Sequence, residues 1–411
     1  MKLTFFILFI IVLLVRFILR QLNIRHLRQH GHKVPPGFES AIDAETLAKT
    51  SDYTLAKDKV AAVESAVGTM LFGLFLFTPL LPWYDRFIQS FGFHFILQGL
   101  VFFLLLGLVQ GIVDIPFSLY RSFVVEEKFG FNTMTFRLWL TDLLKGVVLS
   151  LILGGILLGG VFALIHFSPQ WWWFWAWGFV AIVTLFLMYL SPYVIEPLFF
   201  KFEPVQKEGL EEGVRQMAGK AGLTVSKIQQ VDASRRSRHG NAYFTGIDKV
   251  KRIVLFDTLL EKLSNSEALA VLAHEIGHWK KGHIWKRLVK TELLSLLFFW
   301  VAWYCLNQGW LPSLLGLAEL SFFSQLIVFG FVASLVFFPL TPLSSWFSRR
   351  DEWQADAFAC DLHGEPRDLA TALVNMSRDN LANLHPHPLY ARFYYSHPPL
   401  AERVARLFDR G

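Results

Sequence analysis

The sequence predicts a mainly α-helical, polytopic membrane protein whose seven transmembrane helices are joined to a small polar α/β domain. Of its 411 residues, 54% are hydrophobic and only 18% are charged, whereas charged residues make up about a quarter of an ordinary soluble domain. Seven apolar runs approach the roughly 20 residues that cross a bilayer as a helix. These predicted spans are 3–19, 60–82, 94–117, 143–166, 171–190, 288–306 and 322–340.

The first and fifth runs each carry a feature that helps to assign them. Arg16 and Arg20 mark the end of the first run, and no small-residue cleavage site follows, so we expect a retained membrane anchor and not a signal peptide. The fifth run begins in a cluster of tryptophans, which favour the membrane–water interface and therefore predict an aromatic belt. This cluster is Trp171, Trp172, Trp173, Trp175 and Trp177.

The charge pattern excludes some partners. The net charge is +6, but the basic residues flank apolar runs instead of forming one stripe with interleaved aromatic residues. Nucleic acid is therefore not an expected partner, whereas membrane lipids are. The two cysteines, Cys305 and Cys360, lie far apart and indicate neither a disulfide framework nor a cysteine zinc site.

Lysine and arginine are concentrated in alternate loops. The segments 20–59 and 118–142 are rich in basic residues, whereas the loops on the other side, 83–93, 167–170 and 307–321, hold only Arg86. The positive-inside rule then predicts an N-terminus outside and a C-terminus in the cytoplasm.

Both large polar segments fall on the cytoplasmic side in this arrangement. We therefore divide the chain into a membrane region with five spans, a cytoplasmic catalytic region, the last two spans and a C-terminal segment that completes the site. The predicted boundaries are 1–190, 191–287, 288–340 and 341–411.

The first polar segment has the pattern of a small α/β domain. Residues 206–222 predict a helix that ends at Gly222, and residues 225–231 predict a short strand. The runs 241–246 and 252–256 predict a β-hairpin whose turn contains Asp248 and Lys249.

Residues 274–278 form the pattern HExxH. On a helix, His274 and His278 lie one turn apart on one face, close enough to bind one metal ion, and Glu275 between them can act as general base. Zinc bound in this way is the usual core of a metalloprotease. A chance pattern on a surface helix is the alternative. A capping box formed by Ser264 and Glu267 just upstream predicts that the motif lies on a helix.

A catalytic zinc site usually takes three protein ligands. His283 is one residue out of register with the pattern of a third histidine, so we expect it to face away from the pair as an outer or surface residue. The better candidate is Glu352, which follows the last span on the cytoplasmic side, with Asp356 one turn later to orient a ligand histidine. The alternative for this stretch is a solvated, charged helix start.

Several segments together make the chain resemble a known family. They are NAYFTG, RIVLFDTLL, HEIGHWKKGH, SRRDEWQADAFA and YSHPPLAER, with FVVEEKFGFN and SPYVIEPLFFKF upstream. In this order they are similar to segments of the type 1 CAAX prenyl proteases, integral-membrane zinc metalloproteases of the gluzincin type. The resemblance covers residues 50 to 405.

The resemblance implies a barrel of seven helices around an intramembrane chamber, capped on the cytoplasmic side by one zinc ion. It implies zinc ligands at His274, His278 and Glu352, and catalysis by Glu275. It further implies supporting or substrate-contacting roles for other residues. These are Asp356 beside a ligand, His397 and Arg403 at the reacting carbonyl, and Asn241, Ala242, Tyr243 and Phe244 along a substrate-binding edge strand.

We therefore expect a zinc metalloendopeptidase that acts on a peptide or protein substrate, with or without a lipid modification. The alternatives are a non-catalytic transporter or scaffold with a vestigial metal site, and a closed structural zinc site. The chain ends at Gly411 without a dilysine retrieval signal, and the loop between the sixth and seventh spans is short. Both features favour a bacterial inner membrane over the endoplasmic reticulum. Substrates would then be lipid-modified C-terminal peptides or misfolded membrane proteins.

Overall fold

The computed structural model describes residues 2–245 and 252–410, and this part of the chain is mainly helical. Its first half contains α1 Lys2–His30, α2 Ala44–Phe77, α3 Leu80–Gln89, α4 Phe95–Tyr120, α5 Glu127–Phe129, α6 Phe136–Phe167, α7 Trp172–Leu190 and α8 Glu196–Phe199. Two π-helical turns, Arg121–Glu126 and Ser191–Ile195, extend α4 and α7.

The second half combines short strands with further helices. The strands are β1 Phe202–Pro204, β2 Lys227–Val231, β3 Ala242–Thr245 and β4 Arg252–Phe256. The helices are α9 Leu210–Lys220, α10 Asp257–Leu260, α11 Asn265–Lys280, α12 His283–Asn307, α13 Leu311–Leu314, α14 Phe322–Phe337, α15 Thr341–His363, α16 Pro366–Asp379, α17 Pro388–Tyr394 and α18 Leu400–Phe408.

Among the residues that the structure describes, seven helical segments are long and apolar enough to cross a membrane, which confirms the predicted spans. The second predicted span, 60–82, extends beyond the end of one helix and into the next. α2 ends at Phe77 because Thr78 is extended (φ −111°, ψ 177°), as the residue before a proline tends to be, and Pro79 starts α3. The seventh span continues through a 3-10 turn into α15.

The spanning helices form a closed ring. α1 contacts α2, and the contacts continue in chain order through α4, α6, α7, α12 and α14, which returns to α1. The predicted α-barrel is therefore confirmed.

The small domain contains a mixed four-stranded sheet in the order β1-β2-β4-β3. β3 pairs antiparallel with β4, as the predicted hairpin requires; its turn residues, Asp248 and Lys249, lie outside the described residues. The sequence did not predict β1, which has only three residues and ends in Pro204. Among the described strands, β3 is an edge strand with one side unpaired.

One hydrophobic core joins this sheet to the helices that carry the polar motifs. It contains buried side chains of α9, α11, α16 and α18, together with Ile253 and Leu255 of β4. α11 and α15 pack closely in this core. The core therefore holds the HExxH helix against the helix that follows the last membrane span.

Candidate metal centre

The HExxH sequence lies on α11, as predicted. The helix begins at the capping box, in which Ser264 Oγ accepts from the backbone N–H of Glu267 and Glu267 Oε2 accepts from the backbone N–H of Ser264. Residues Ala268–His274 continue as a mainly buried face. His274 and His278 consequently lie one turn apart and point to the same side, with their Nε2 atoms 3.2 Å apart.

Glu352 of α15 meets this pair. Its Oε2 lies 3.3 Å from His274 Nε2, and its Oε1 lies 3.3 Å from His278 Nε2. One donor atom from each of the three side chains lies within 4.8 Å of the others. The three residues predicted to be metal ligands therefore come together, although Glu352 lies 74 positions after His278 in the sequence.

The alternative of a solvated helix start is wrong for Glu352. The residue is only 3% exposed, and the adjacent Arg349 donates instead to the carbonyl oxygens of Ala391 and Tyr395. A buried carboxylate needs a cation or several hydrogen-bond donors to offset its desolvation. α15 therefore buries Glu352 for a reason other than pairing with its neighbouring arginines.

The donor set fits a metal ion. Among the described residues, Glu352 Oε2 is buried and has no hydrogen-bond partner. Burial disfavours the charged form of His274, but the neighbouring carboxylates of Asp356 and Glu352 outweigh this effect and raise its pKa to about 9. The pocket thus attracts positive charge, and two imidazoles with one carboxylate are a usual ligand set of an open zinc site.

Asp356 lies behind His274. Its Oδ1 is 2.8 Å from His274 Nδ1, so His274 donates from Nδ1, and its Nε2, the nitrogen that would bind a metal, is directed towards Glu352 and His278. Arg403 of α18 donates to both oxygens of Asp356, at 2.6 and 2.9 Å. This pairing leaves the carboxylate fixed on two sides.

Arg403 is therefore not a surface residue. It is 5% exposed, and its second terminal nitrogen lies 3.7 Å from Glu352 Oε2. Burial lowers the pKa of an arginine, but Asp356 and Glu352 outweigh that effect and raise the pKa of Arg403. Its charge is thus permanent and faces both carboxylates.

The expectation that His283 faces away from the histidine pair is wrong. Its Nδ1 lies 3.0 Å from His278 Nδ1, and its Nε2 lies 3.1 Å from Gln354 Oε1. A helix continued past Lys280 would turn His283 away from the pair, but α11 ends at Lys280 and Gly282 adopts a left-handed conformation (φ +68°) that turns the chain back. Gly282 was the available signal, since glycine adopts that conformation readily.

Glu275 and His397 complete the polar surface of the cluster. His397 Nε2 lies 3.3 Å from Glu352 Oε1, and its side chain is 62% exposed. Burial raises the pKa of Glu275, against the opposing effect of the two nearby histidines. Both side chains line the cavity that contains the cluster, so both are accessible to a substrate there.

This cavity, which we call the active-site cavity, has a volume of about 590 Å³. Its walls come from the HExxH helix, from the ends of the spans α7 and α12, and from β3. Membrane-side residues include Met188, Arg287 and Thr291. The cluster therefore opens towards the membrane region and not only towards water.

The predicted substrate strand contributes unequally to the cavity. Phe244 lines it and packs on Trp279, with ring centroids 5.3 Å apart. Tyr243 lies on the opposite face of β3, where its hydroxyl donates to Glu196. Ala242 is buried, and Asn241 is exposed with its side-chain oxygen accepting from the Ala242 N–H.

Comparison with known proteins identifies the family. A family model described as "CAAX prenyl protease N-terminal, five membrane helices" matches residues 23–201, and the model for peptidase family M48 matches residues 204–410. The chain belongs to the CAAX prenyl protease 1 family. It is 35% identical to CAAX prenyl protease 1 of Saccharomyces cerevisiae, over 91% of this chain and 88% of the relative.

Other members of the CAAX prenyl protease 1 family agree in sequence and in structure. The CAAX prenyl protease 1 homolog of Homo sapiens is 35% identical, over 91% of this chain and 88% of its own length. The crystal structure of S. mikatae Ste24p superposes with a TM-score of 0.91 at 32% identity, covering 99% of this chain and 98% of that one. The chain is therefore a multi-pass membrane metallopeptidase, and a transporter or scaffold is not favoured.

Proposed function

We propose that this metallopeptidase is a zinc endopeptidase with His274, His278 and Glu352 as metal ligands and Glu275 as general base. The observation that carries the proposal is the convergence of three donor atoms within 4.8 Å around a buried carboxylate oxygen without a hydrogen bond. A closed structural zinc site is the weaker explanation of this cluster, because the cluster lies in the wall of a cavity that a substrate can enter.

The residues around the metal position divide the chemistry among them. Zinc, when bound, would supply a Lewis acid that polarises the scissile carbonyl and makes water more acidic. Glu275 takes a proton from the attacking water on its carboxylate and returns it to the leaving amine. Asp356 holds His274 in the Nδ1–H form, and Arg403 keeps Asp356 ionised.

His397 is suited to stabilise the developing oxyanion. Its imidazole is exposed to the active-site cavity beside Glu352, and a preorganised donor of this kind often contributes about 3 kcal/mol. Arg403 acts less directly, because both of its donating contacts to Asp356 hold it behind the cluster. We therefore propose that His397 contacts the substrate oxyanion, and that Arg403 positions Asp356.

The peptide would bind by adding a strand to the unpaired side of β3. Main-chain hydrogen bonds then hold many sequences in one register, while pockets read the side chains. Residues Asn241–Phe244 would supply the backbone groups, and the ring of Phe244 would contact the substrate inside the cavity.

The relatives' names and the shape of the site support a proposal for the substrate class. The relatives are named for prenylated CAAX sequences, and the active-site cavity opens between α7 and α12. We propose a peptide or membrane protein whose lipid or apolar segment lies on the membrane side, with C-terminal processing and quality control as the two roles.

The active site would lie on the cytoplasmic side and the N-terminus outside. The C-terminal end of α1 touches the C-terminal segment, since Asn23 Oδ1 accepts from the His387 N–H and His26 Nδ1 donates to the His385 carbonyl. The lysine- and arginine-rich segment 20–59 therefore lies at the same end of the barrel as the cluster. The short connection 308–321 favours a bacterial inner membrane, although the relatives named above are eukaryotic.

Purified protein with zinc should cleave members of a peptide library that contains prenylated and plain forms, with products identified by mass spectrometry. Glu275→Gln should keep stoichiometric zinc and lose nearly all turnover, whereas Glu261→Gln, an exposed position outside the site, should behave as wild type. Full activity of Glu275→Gln would refute the assigned base. Peptide binding by the wild type without cleavage would support the scaffold alternative.

A further inference from the structure

A second cavity lies in the C-terminal part of the chain, and the proposed chemistry does not use it. We call it the C-terminal cavity. Its volume is about 450 Å³, within the range of about 300–1,000 Å³ that is usual for ligand pockets. Apolar and aromatic side chains dominate its wall, among them Leu373, Met376, Tyr394, Tyr395 and Leu400.

The C-terminal cavity adjoins the active-site cavity. Ser396 and His397 line both of them, and His397 Nε2 is 3.3 Å from Glu352. The two cavities therefore meet at His397. One extends towards the spans α7 and α12, and the other extends between α16 and the segment that leads into α18.

The edge strand β3 connects the two cavities. Asn380, in the wall of the C-terminal cavity, accepts from the Gly240 N–H at 3.0 Å and donates to the Gly240 carbonyl at 3.3 Å. Gly240 comes just before β3, whereas Phe244 near its other end lines the active-site cavity. Four residues of strand span about 13 Å, so a peptide paired with β3 would be long enough to reach from one cavity to the other.

We propose that the C-terminal cavity is a substrate subsite that takes an apolar side chain, of leucine or phenylalanine size, from the peptide. This residue lies on the side of the scissile bond away from the membrane. The inference rests on the proposed function, because it requires a peptide paired with β3. Continuity at His397 and the apolar wall favour this occupant over a free ion or a polar cofactor.

The test uses full-length, zinc-loaded protein in detergent and quenched fluorescent peptides with one established cleavage site. Alanine, leucine or phenylalanine is placed in turn at each of three positions on both sides of the cleaved bond. At one position on the non-membrane side, the wild type should show kcat/KM for leucine or phenylalanine at least about tenfold above that for alanine, a usual effect of filling an apolar pocket.

Two variants change the size of the cavity. Met376→Trp fills it and should reduce that ratio below about threefold, whereas Tyr394→Ala enlarges it and should shift the preference towards phenylalanine. Tyr394→Ala keeps the inference testable if Met376→Trp does not fold. Leu389→Trp adds similar bulk at an exposed site on α17 that lines neither cavity, and it should retain the wild-type ratio.

The outcomes separate the two levels of inference. Wild-type cleavage with equal rates for all three residues at every position, or an unchanged ratio in both cavity variants, would overturn the subsite and leave the peptidase intact. Absence of any peptide cleavage by zinc-loaded wild type would overturn the proposed function and the subsite together.

Discussion

Gly277 of α11 lies directly against the backbone of Ala355 in α15. A Cβ atom at position 277 would lie 3.1 Å from both the Cα and the carbonyl oxygen of Ala355. These are backbone atoms of a helix, so they cannot rotate away. Because His274 and His278 flank this contact on one helix and Glu352 precedes it by one turn on the other, the glycine sets the separation of the three donor atoms.

Gly277→Ala should therefore weaken metal binding as well as the fold. Overpacking of this kind costs about 1–3 kcal/mol, and we expect a lower thermal midpoint with at least tenfold weaker zinc affinity in chelator competition. Gly219→Ala on α9, where nothing lies within 4 Å of the added Cβ, is the control and should be neutral or slightly stabilising. Wild-type zinc affinity in Gly277→Ala would contradict the role of this contact.

Asp356→Asn should weaken zinc binding by about 10–100-fold, because it removes the carboxylate behind His274 Nδ1. The thermal midpoint should also fall, since Arg403 would remain buried without its principal acidic partner. Zinc affinity by chelator competition and thermal unfolding in detergent measure the two effects. Asp361→Asn, at an exposed position of the same helix, should change neither quantity; equal effects of both substitutions would show that Asp356 has no specific role.

The sequence alone was sufficient for the parts of the site that depend on local spacing. One helix, α11, contains both the i, i+4 pair His274 and His278 and the capping box at Ser264. The geometry of an α-helix is known in advance, so both features could be predicted from spacing alone. Glu352 could be predicted because topology placed its segment at the same membrane face. The seven spans could also be predicted from the sequence, since bilayer thickness fixes their length.

Features that depend on turns and on packing between distant segments were harder to predict from the sequence. His283 returns to His278 only because Gly282 interrupts the helix, and the left-handed conformation of that glycine is not visible from helical periodicity. Arg403 lies on a short amphipathic helix and would be taken for a surface residue until α18 packs on α16 and brings its guanidinium to Asp356 of α15. The break at Thr78 was signalled by Pro79, but the continuous apolar pattern obscured it.

His283→Phe should weaken zinc binding by about 10–100-fold while preserving the buried ring volume. The substitution removes the hydrogen-bonding link from His278 through His283 to Gln354, which orients the second imidazole. The turnover of His283→Phe should be closer to the wild-type value at saturating zinc than at limiting zinc. Lys286→Ala, one turn away on the exposed side of α12, is the control. Zinc affinity equal to wild type in His283→Phe would mean that His278 needs no outer partner.

The contact between α1 and the C-terminal segment should loosen in mild acid. Burial, together with the nearby imidazoles of His26, His30 and His32, lowers the pKa of His385. An unfolded histidine titrates near pH 6.5. Above that pH the ring is neutral in both states, whereas below it the unfolded chain takes up the proton more readily, so stability is lost as the pH falls from about 6.5 through the lower folded pKa.

Thermal unfolding and hydrogen exchange of residues 20–30, compared at pH 7.5 and pH 5.5, measure this effect. The wild type should be less protected at the lower pH. His385→Gln should show a smaller difference, because it has no group to protonate but can still donate to the Lys33 carbonyl that His385 Nε2 contacts at 2.6 Å. His166→Gln, at the opposite end of the barrel, should retain the full wild-type difference. Equal pH dependence in the wild type and His385→Gln would show that other groups determine the acid sensitivity of this contact.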